Sequence, residues 1–322
     1  MPLLVSLFFG FVPMFLFAAF INWLDRYEKE PQILLGAAFL WGVIVAAGGA
    51  FVINTVFGIG IYVFTGSETA AELGTTSIIA PIVEEFLKGS AVAVVFLLFR
   101  KEFDSILDGI IYAAVVALGF AATENSYYIY SHGYQENGWG GLAALVFVRV
   151  LLVGWQHPFF TSFTGIGIAV ARLNKNPFIK FAAPFLGYGT AVATHAFHNT
   201  FGGLIGGFEG LAAGTLLDWL GWTMMLGFII WMISNEREIV KRQLLGEVTD
   251  GLITSAQYQR ALSPWTQTTA GFGGRSTSRF FQACGELAHK KEQLQRYGDE
   301  AGNQAIVEAL RRELALLAPQ VR

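Results

Sequence analysis

The stretch IIAPIVEEFLKGSAVAVVFLLF, Ile78–Phe99, decides the fold. It is long and apolar enough to cross a bilayer, which takes about 20 such residues. Yet it carries Glu84, Glu85 and Lys88. Ionisable groups inside a membrane helix are costly, so each faces a cavity or a partner and marks function by default. Adjacent helical residues point about 100° apart, so one carboxylate can face a site while the other supports it. Lys88, at i+4 from Glu84 and i+3 from Glu85, lies on the same side and can neutralise one of them. Two carboxylates this close compete for ionisation, which is one route to a general base near neutral pH. The same three charges suit a buried ion pair that only holds helices together.

Six other apolar stretches accompany this one: Leu3–Trp23, Ile33–Phe64, Ile106–Tyr130, Leu142–Ala171, Phe178–Leu204 and Leu211–Ile233. The chain of 322 residues is 54% hydrophobic and only 14% charged, against about a quarter charged in soluble domains. The expected fold is therefore all-α, a polytopic bundle of about seven transmembrane helices, eight if a long stretch breaks. Ile33–Phe64 and Leu142–Ala171 exceed the length a span needs, and Gly48 and Gly49 offer a break in the first of them. Leu3–Trp23 lacks a basic leader and a small-residue cleavage site, so it reads as a retained helix. One cysteine, Cys284, excludes an internal disulfide and a multi-cysteine metal site. The net charge of −3 has no diagnostic weight, and no basic stripe points to nucleic acid.

The loops divide by charge. Arg26 and Lys29, then Arg100 and Lys101, then Arg172, Lys175 and Lys180, then Arg237, Lys241 and Arg242 fall on alternate loops. The intervening loops Thr65–Ser77, Ser131–Gly141 and Ile205–Gly210 have neither Lys nor Arg. The positive-inside rule then places the N-terminus outside and the C-terminus in the cytoplasm. Residues 1–235 form the membrane domain and 236–322 a polar, helical cytoplasmic tail. Within the tail, Ser263–Arg279 reads as a linker. Phe280–Tyr297 and Gln304–Leu317 read as amphipathic helices, with Leu287, Leu294, Leu310 and Leu314 at helical spacing. The tail is either a regulatory appendage or passive.

Further polar residues sit inside the apolar stretches. Glu124 and Asn125 end the fourth, after Gly119 and alanines that permit close helix approach. Glu124 can ligate a metal, orient a histidine, or simply lie near water. His157 precedes Pro158, whose ring clashes with the Gly154 carbonyl, so a kink is expected there. Arg149 on the same stretch can pair with Glu85 or Glu124. His195 and Asn199, at i and i+4, share a face of the sixth stretch, with His198 beside them. Such a pair can bind a developing oxyanion, and His195 can equally ligate a metal. Two histidines and an asparagine in one membrane turn are hard to explain as packing. With the orientation above, Glu84, Glu124, His195 and Asn199 fall in the outer half of the bilayer, whereas His157 lies deeper unless its helix protrudes.

These residues resemble a known family. Pro81–Lys88 is similar to the EExxK motif of the PrsW family of intramembrane proteases. Asp108–Tyr112 with Gly119–Asn125 resembles that family's second block, and His157–Thr161 and His195–Asn199 resemble its third and fourth. The resemblance covers roughly residues 1–235. It places the chain in a wider group with the CAAX prenyl endopeptidases, whose pattern is EExxxR, FxxxH and HxxxN. Lys88 stands one position early for the basic residue of that pattern, and Val153 replaces its Phe.

The resemblance implies a bacterial plasma-membrane enzyme that cleaves a single-span, anti-sigma-factor-like protein near the outer face. By the same carry-over, Glu84 and His157 activate water, and His195 and Asn199 stabilise the oxyanion. Glu85 joins them in the catalytic group, with Lys88, Glu124, Asn125 and His198 in support. One zinc ion on His157, His195 and Glu84 is one form of that chemistry; glutamate-activated water without metal is the other. A proton-coupled transporter and a non-catalytic signalling scaffold are the competing function classes.

Overall fold

The computed structural model describes residues 1–205, 207–299 and 302–321, and no strand occurs among them. The helices are α1 (Pro2–Leu24), α2 (Gln32–Trp41), α3 (Ala47–Thr65), α4 (Glu68–Gly74), α5 (Ala80–Leu98), α6 (Ile106–Tyr128) and α7 (Gln135–Val146). They continue as α8 (Gln156–Leu173), α9 (Pro177–Ile205), α10 (Gly207–Thr249), α11 (Ser255–Ala261), α12 (Thr266–Thr269), α13 (Arg275–Tyr297) and α14 (Asn303–Leu317). Four described stretches are long and apolar enough to cross a membrane: Pro2–Leu24, Gln32–Thr65, Ile106–Leu173 and Glu209–Thr249. Two compact units result, residues 1–21 with 31–226, and residues 22–30 with 227–322.

Helix α6 is the axis of the first unit. It is buried along most of its length, from Leu107 to Ala122. Ser105 and Asp108 cap its start reciprocally, Ser105 N donating to Asp108 Oδ2 at 2.7 Å, an arrangement that satisfies two otherwise orphaned helix donors. Its neighbours come close because small residues meet backbone. A Cβ on Gly109 would overlap the Gly165 carbonyl of α8, and one on Gly165 would overlap the Gly109 carbonyl. Without a hydrophobic drive between membrane helices, such backbone contact supplies the attraction.

Two expected irregularities fall elsewhere in the structure. The second stretch is continuous through Gly48 and Gly49, and its irregular part is the π-helical turn Gly42–Ala46. There Gly42 abuts the Val116 carbonyl of α6, and Thr123 Oγ1 donates to the Val43 carbonyl at 3.0 Å. The fifth stretch is not one kinked helix. The chain leaves helical geometry at Val153 and Trp155, and α8 begins anew at Gln156. Pro158 therefore occupies a first turn, where its missing N–H needs no partner. His157 sits at the start of α8 rather than in mid-helix.

The second unit has its own core. Tyr27 from the loop after α1 packs with Val240 and Leu244 of α10, Phe280, Phe281, Cys284 and Leu287 of α13, and Leu310 and Leu314 of α14. Leu287, Leu310 and Leu314 are thus buried as their spacing implies, with Leu294 packed at the edge. The stretch 263–279 is not an open linker: it contains α12, the 3-10 turn Ala270–Gly273 and the start of α13, with Ala270 and Thr277 buried. Tyr27 Oη donates to the Leu262 carbonyl at 3.1 Å. Gly285 lies so close to the Tyr27 carbonyl that any Cβ would overlap it. Burial pushes the Cys284 thiol well above its usual range, so the reactive thiolate is scarce. In the native protein Cys284 should resist maleimide. Gly285→Ala, which forces Tyr27 away, should speed labelling at least about tenfold. Equal labelling rates in the two proteins would refute this account of the packing.

Candidate active site

Four helices deliver the polar groups to one place. Glu84, Glu85 and Lys88 come from α5, Glu124 and Asn125 from the end of α6, His157 from the start of α8 and His195 from α9. Glu84, Glu85, Lys88, Asn125, His157 and His195 are all buried.

Lys88 is the hub. Its Nζ lies 2.7 Å from Glu85 Oε1, 3.2 Å from His157 Nδ1 and 3.7 Å from Glu84 Oε2. It also sits 4.2 Å over the Phe120 ring, a favourable place for a desolvated cation. An ammonium only donates, so His157 Nδ1 accepts and Nε2 carries the hydrogen. That hydrogen goes to Glu124 Oε2 at 2.9 Å. Glu124 is held in turn by Arg149, whose Nε donates to Asn125 Oδ1 at 2.9 Å. Arg149 thus pairs with Glu124, not Glu85.

Glu85 is saturated. It accepts from Lys88, from Thr161 Oγ1 at 2.8 Å and from His195 Nδ1 at 3.0 Å. His195 Nδ1 thereby holds the hydrogen, and Nε2 keeps a lone pair facing Glu84 Oε2 at 3.8 Å. Glu84 differs from Glu85. Its Oε1 has one long contact, Asn54 Nδ2 at 3.4 Å, and its buried Oε2 has no hydrogen-bond partner. An unpartnered carboxylate oxygen in such a site is expensive, and a reactant or ion would relieve it.

Two expected members stand aside. Asn199 Nδ2 donates to the Thr76 carbonyl at 2.9 Å, tying α9 to the turn before α5. His198 pairs with Asp218 of α10, Nδ1 to Oδ1, at 3.1 Å. Asp218, Asn54 and Thr161 were not singled out from the sequence. Asp218 carried the signal already used for Glu84, a carboxylate inside an apolar stretch. Asn54 and Thr161 are common neutral residues whose role only the fold reveals.

Glu84, His157 and His195 can each offer one ligand atom, with the atoms within 4.8 Å of one another. Two imidazoles and a carboxylate suit catalytic zinc. The Glu85 carboxylate on His195 Nδ1 is the kind of support that orients a metal-binding imidazole. The orphaned Glu84 Oε2 and the His195 Nε2 lone pair fit an ion directly, whereas His157 Nδ1 must first be released by Lys88.

The profile of the PrsW family intramembrane metalloprotease matches residues 30–235. The chain belongs to this family. Similar proteins include Protease PrsW of Geobacillus kaustophilus (strain HTA426), 30% identical over 46% of this chain and 58% of the relative. Protease PrsW of Clostridioides difficile (strain 630) is 34% identical over 37% and 48%, respectively. That of Bacillus subtilis (strain 168) is 26% identical over 52% and 69%. The chain thus spans about half the length of the first two relatives. No solved structure matches it.

The PrsW-family site described above predicts a metal-binding pattern readable without turnover. Detergent-purified protein should bind about one Co²⁺ per chain with a visible d–d band. Glu84→Ala or His195→Ala should abolish the band, and Asn199→Ala should leave it intact. A band unchanged in Glu84→Ala would exclude this donor set.

Proposed function

We propose that this chain is an intramembrane endopeptidase that hydrolyses a peptide bond of a membrane-anchored protein. The observation that carries this reading is the buried Glu84 Oε2, which has no hydrogen-bond partner and lies 3.8 Å from His195 Nε2. Family membership supports it. A metal held by Glu84, His157 and His195, when bound, would supply Lewis-acid polarisation of water and carbonyl.

The chain's own groups divide the rest. In the form without metal, Glu84 takes a proton as water attacks the carbonyl carbon, and later gives it to the leaving amine as the C–N bond breaks. Lys88 carries the only ammonium at the cluster among the described residues and is the proposed donor to the oxyanion. When it moves there it releases His157 Nδ1, and His157 becomes a second acceptor for the water. Glu124 and Arg149 fix the His157 ring, and Glu85 fixes His195. With Nδ1–H committed to Glu85, neutral His195 has no hydrogen left for an oxyanion, so its proposed role is acceptor or ligand. Asn199 keeps one amide hydrogen beyond the Thr76 contact and remains a secondary oxyanion candidate.

The proposed arrangement has seven spans, N-terminus outside, in a bacterial plasma membrane, with an anti-sigma-factor-like substrate cut near the outer face. Loop charge supports it. The grouping of the loop 22–30 with the C-terminal tail in one unit supports only the part of this reading that puts both on one side of the membrane.

In vesicles holding protein and a single-span peptide, Glu84→Gln should lower cleavage by about 10²–10⁴. Glu124→Gln, which only loosens His157, should cost less. Undiminished cleavage by Glu84→Gln would end the proposal.

A further inference from the structure

The polar tail contains one uncharged stretch. Ala261–Gly274, ALSPWTQTTAGFGG, holds no Asp, Glu, Lys or Arg. Within the second unit it forms α12 and the 3-10 turn Ala270–Gly273. Thr266 and Ala270 are buried and hold it to the unit. Trp265 and Phe272 are left outside, 57% and 92% exposed. They lie about two helical turns apart and so open to the same side. Two large rings left bare on a neutral turn mark a contact surface.

The unit's own contacts fix the level of this stretch relative to the membrane. Trp265 meets Trp23, at the end of the apolar helix α1, with ring centroids 5.8 Å apart. Tyr27 Oη, just past α1, donates to the Leu262 carbonyl at 3.1 Å. Arg237 Nε donates to the same carbonyl at 3.1 Å. Arg237 lies only about 6 Å of helix beyond Ile233, where the apolar part of α10 ends. Arg26 joins the two tryptophans: its guanidinium lies 3.3 Å over Trp23 and 5.0 Å from Trp265, and Nη1 donates to Thr268 Oγ1 at 2.9 Å. The stretch is thus tied to the points where both α1 and α10 leave hydrocarbon.

That level decides what covers the two rings. Tryptophans at the ends of membrane helices sit among lipid headgroups, apolar on one edge and wet on the other. Trp23 occupies such a position and Trp265 continues it. A backbone entering this zone needs its N–H groups satisfied internally. Thr266 N, Thr269 N and Gly274 N donate to carbonyls of the stretch itself at 3.1, 3.0 and 3.1 Å. Arg275, exposed at its end, suits lipid phosphate. We propose that Ala261–Gly274 is an interfacial anchor, with Trp265 and Phe272 inserted into the headgroup region of the leaflet from which α1 and α10 emerge. It holds the C-terminal unit against the bilayer, and it does not depend on the protease reading.

Phe272→Cys supplies the test, because Phe272 is exposed whereas the native Cys284 is buried. The full-length variant is labelled with the fluorophore NBD and placed in phosphatidylcholine nanodiscs, which are open to buffer on both faces. Wild type gives the background labelling. Thr249→Cys is the reference, exposed on α10 about 24 Å of helix beyond Ile233. Phosphatidylcholine spin-labelled near the headgroup end of its acyl chain should quench position 272 at least about threefold more than position 249. Iodide in the buffer should show the reverse order. Equal iodide quenching at the two positions would place the stretch in water and overturn the inference. Shielding of position 272 from iodide without quenching by the spin-labelled lipid would mean that a second protein covers the rings, and overturns it equally.

Discussion

A single ammonium, that of Lys88, makes this interior possible. Glu84, Glu85, Glu124, His157 and His195 are gathered where water is scarce and isolated charge is costly. Lys88 touches Glu85, His157 and Glu84 at once and rests on the face of Phe120. Arg149 does the corresponding work for Glu124. The two cations treat the carboxylates unequally: they hydrogen-bond Glu85 and Glu124 and hold Glu84 only by a looser ion pair. Glu85 and Glu124 are committed to histidines, whereas Glu84 keeps an open oxygen. Reactivity here is what remains after neutralisation.

The helix packing serves that arrangement. α6 and α8 meet through Gly109 and Gly165 with no side chain between them. The restart of the chain at Gln156 then brings His157 level with Glu124. A straight helix through Leu142–Ala171 would leave the imidazole elsewhere. The break at Val153–Trp155 is thus as much part of the site as the side chains are.

Much of this was legible in the residues. Hydrophobic length and loop charge gave helices and an expected orientation, and the cost of polar groups in apolar stretches marked Glu84, Glu85, Glu124, His157 and His195. Which groups pair was not legible, because pairing depends on helix rotation and crossing. Arg149 had two acceptable partners by sequence and one in space. Asn199 shares a helical face with His195, yet its amide goes to the backbone at Thr76. The Ser263–Arg279 composition suggested a linker, but burial of Ala270 and Thr277 overrode local propensity. Asp218 was missed although the rule that found Glu84 applied to it.

The contact between Tyr27 and the far end of the chain has a consequence for biogenesis. Tyr27 donates to Leu262 and shares a core with residues of α13 and α14, so its partners leave the ribosome long after it does. During that interval the first loop stays bare while the remaining helices enter the membrane. The second unit can close only after α13 and α14 have been made. A nascent chain stalled before α13 would leave the Tyr27 loop without its core.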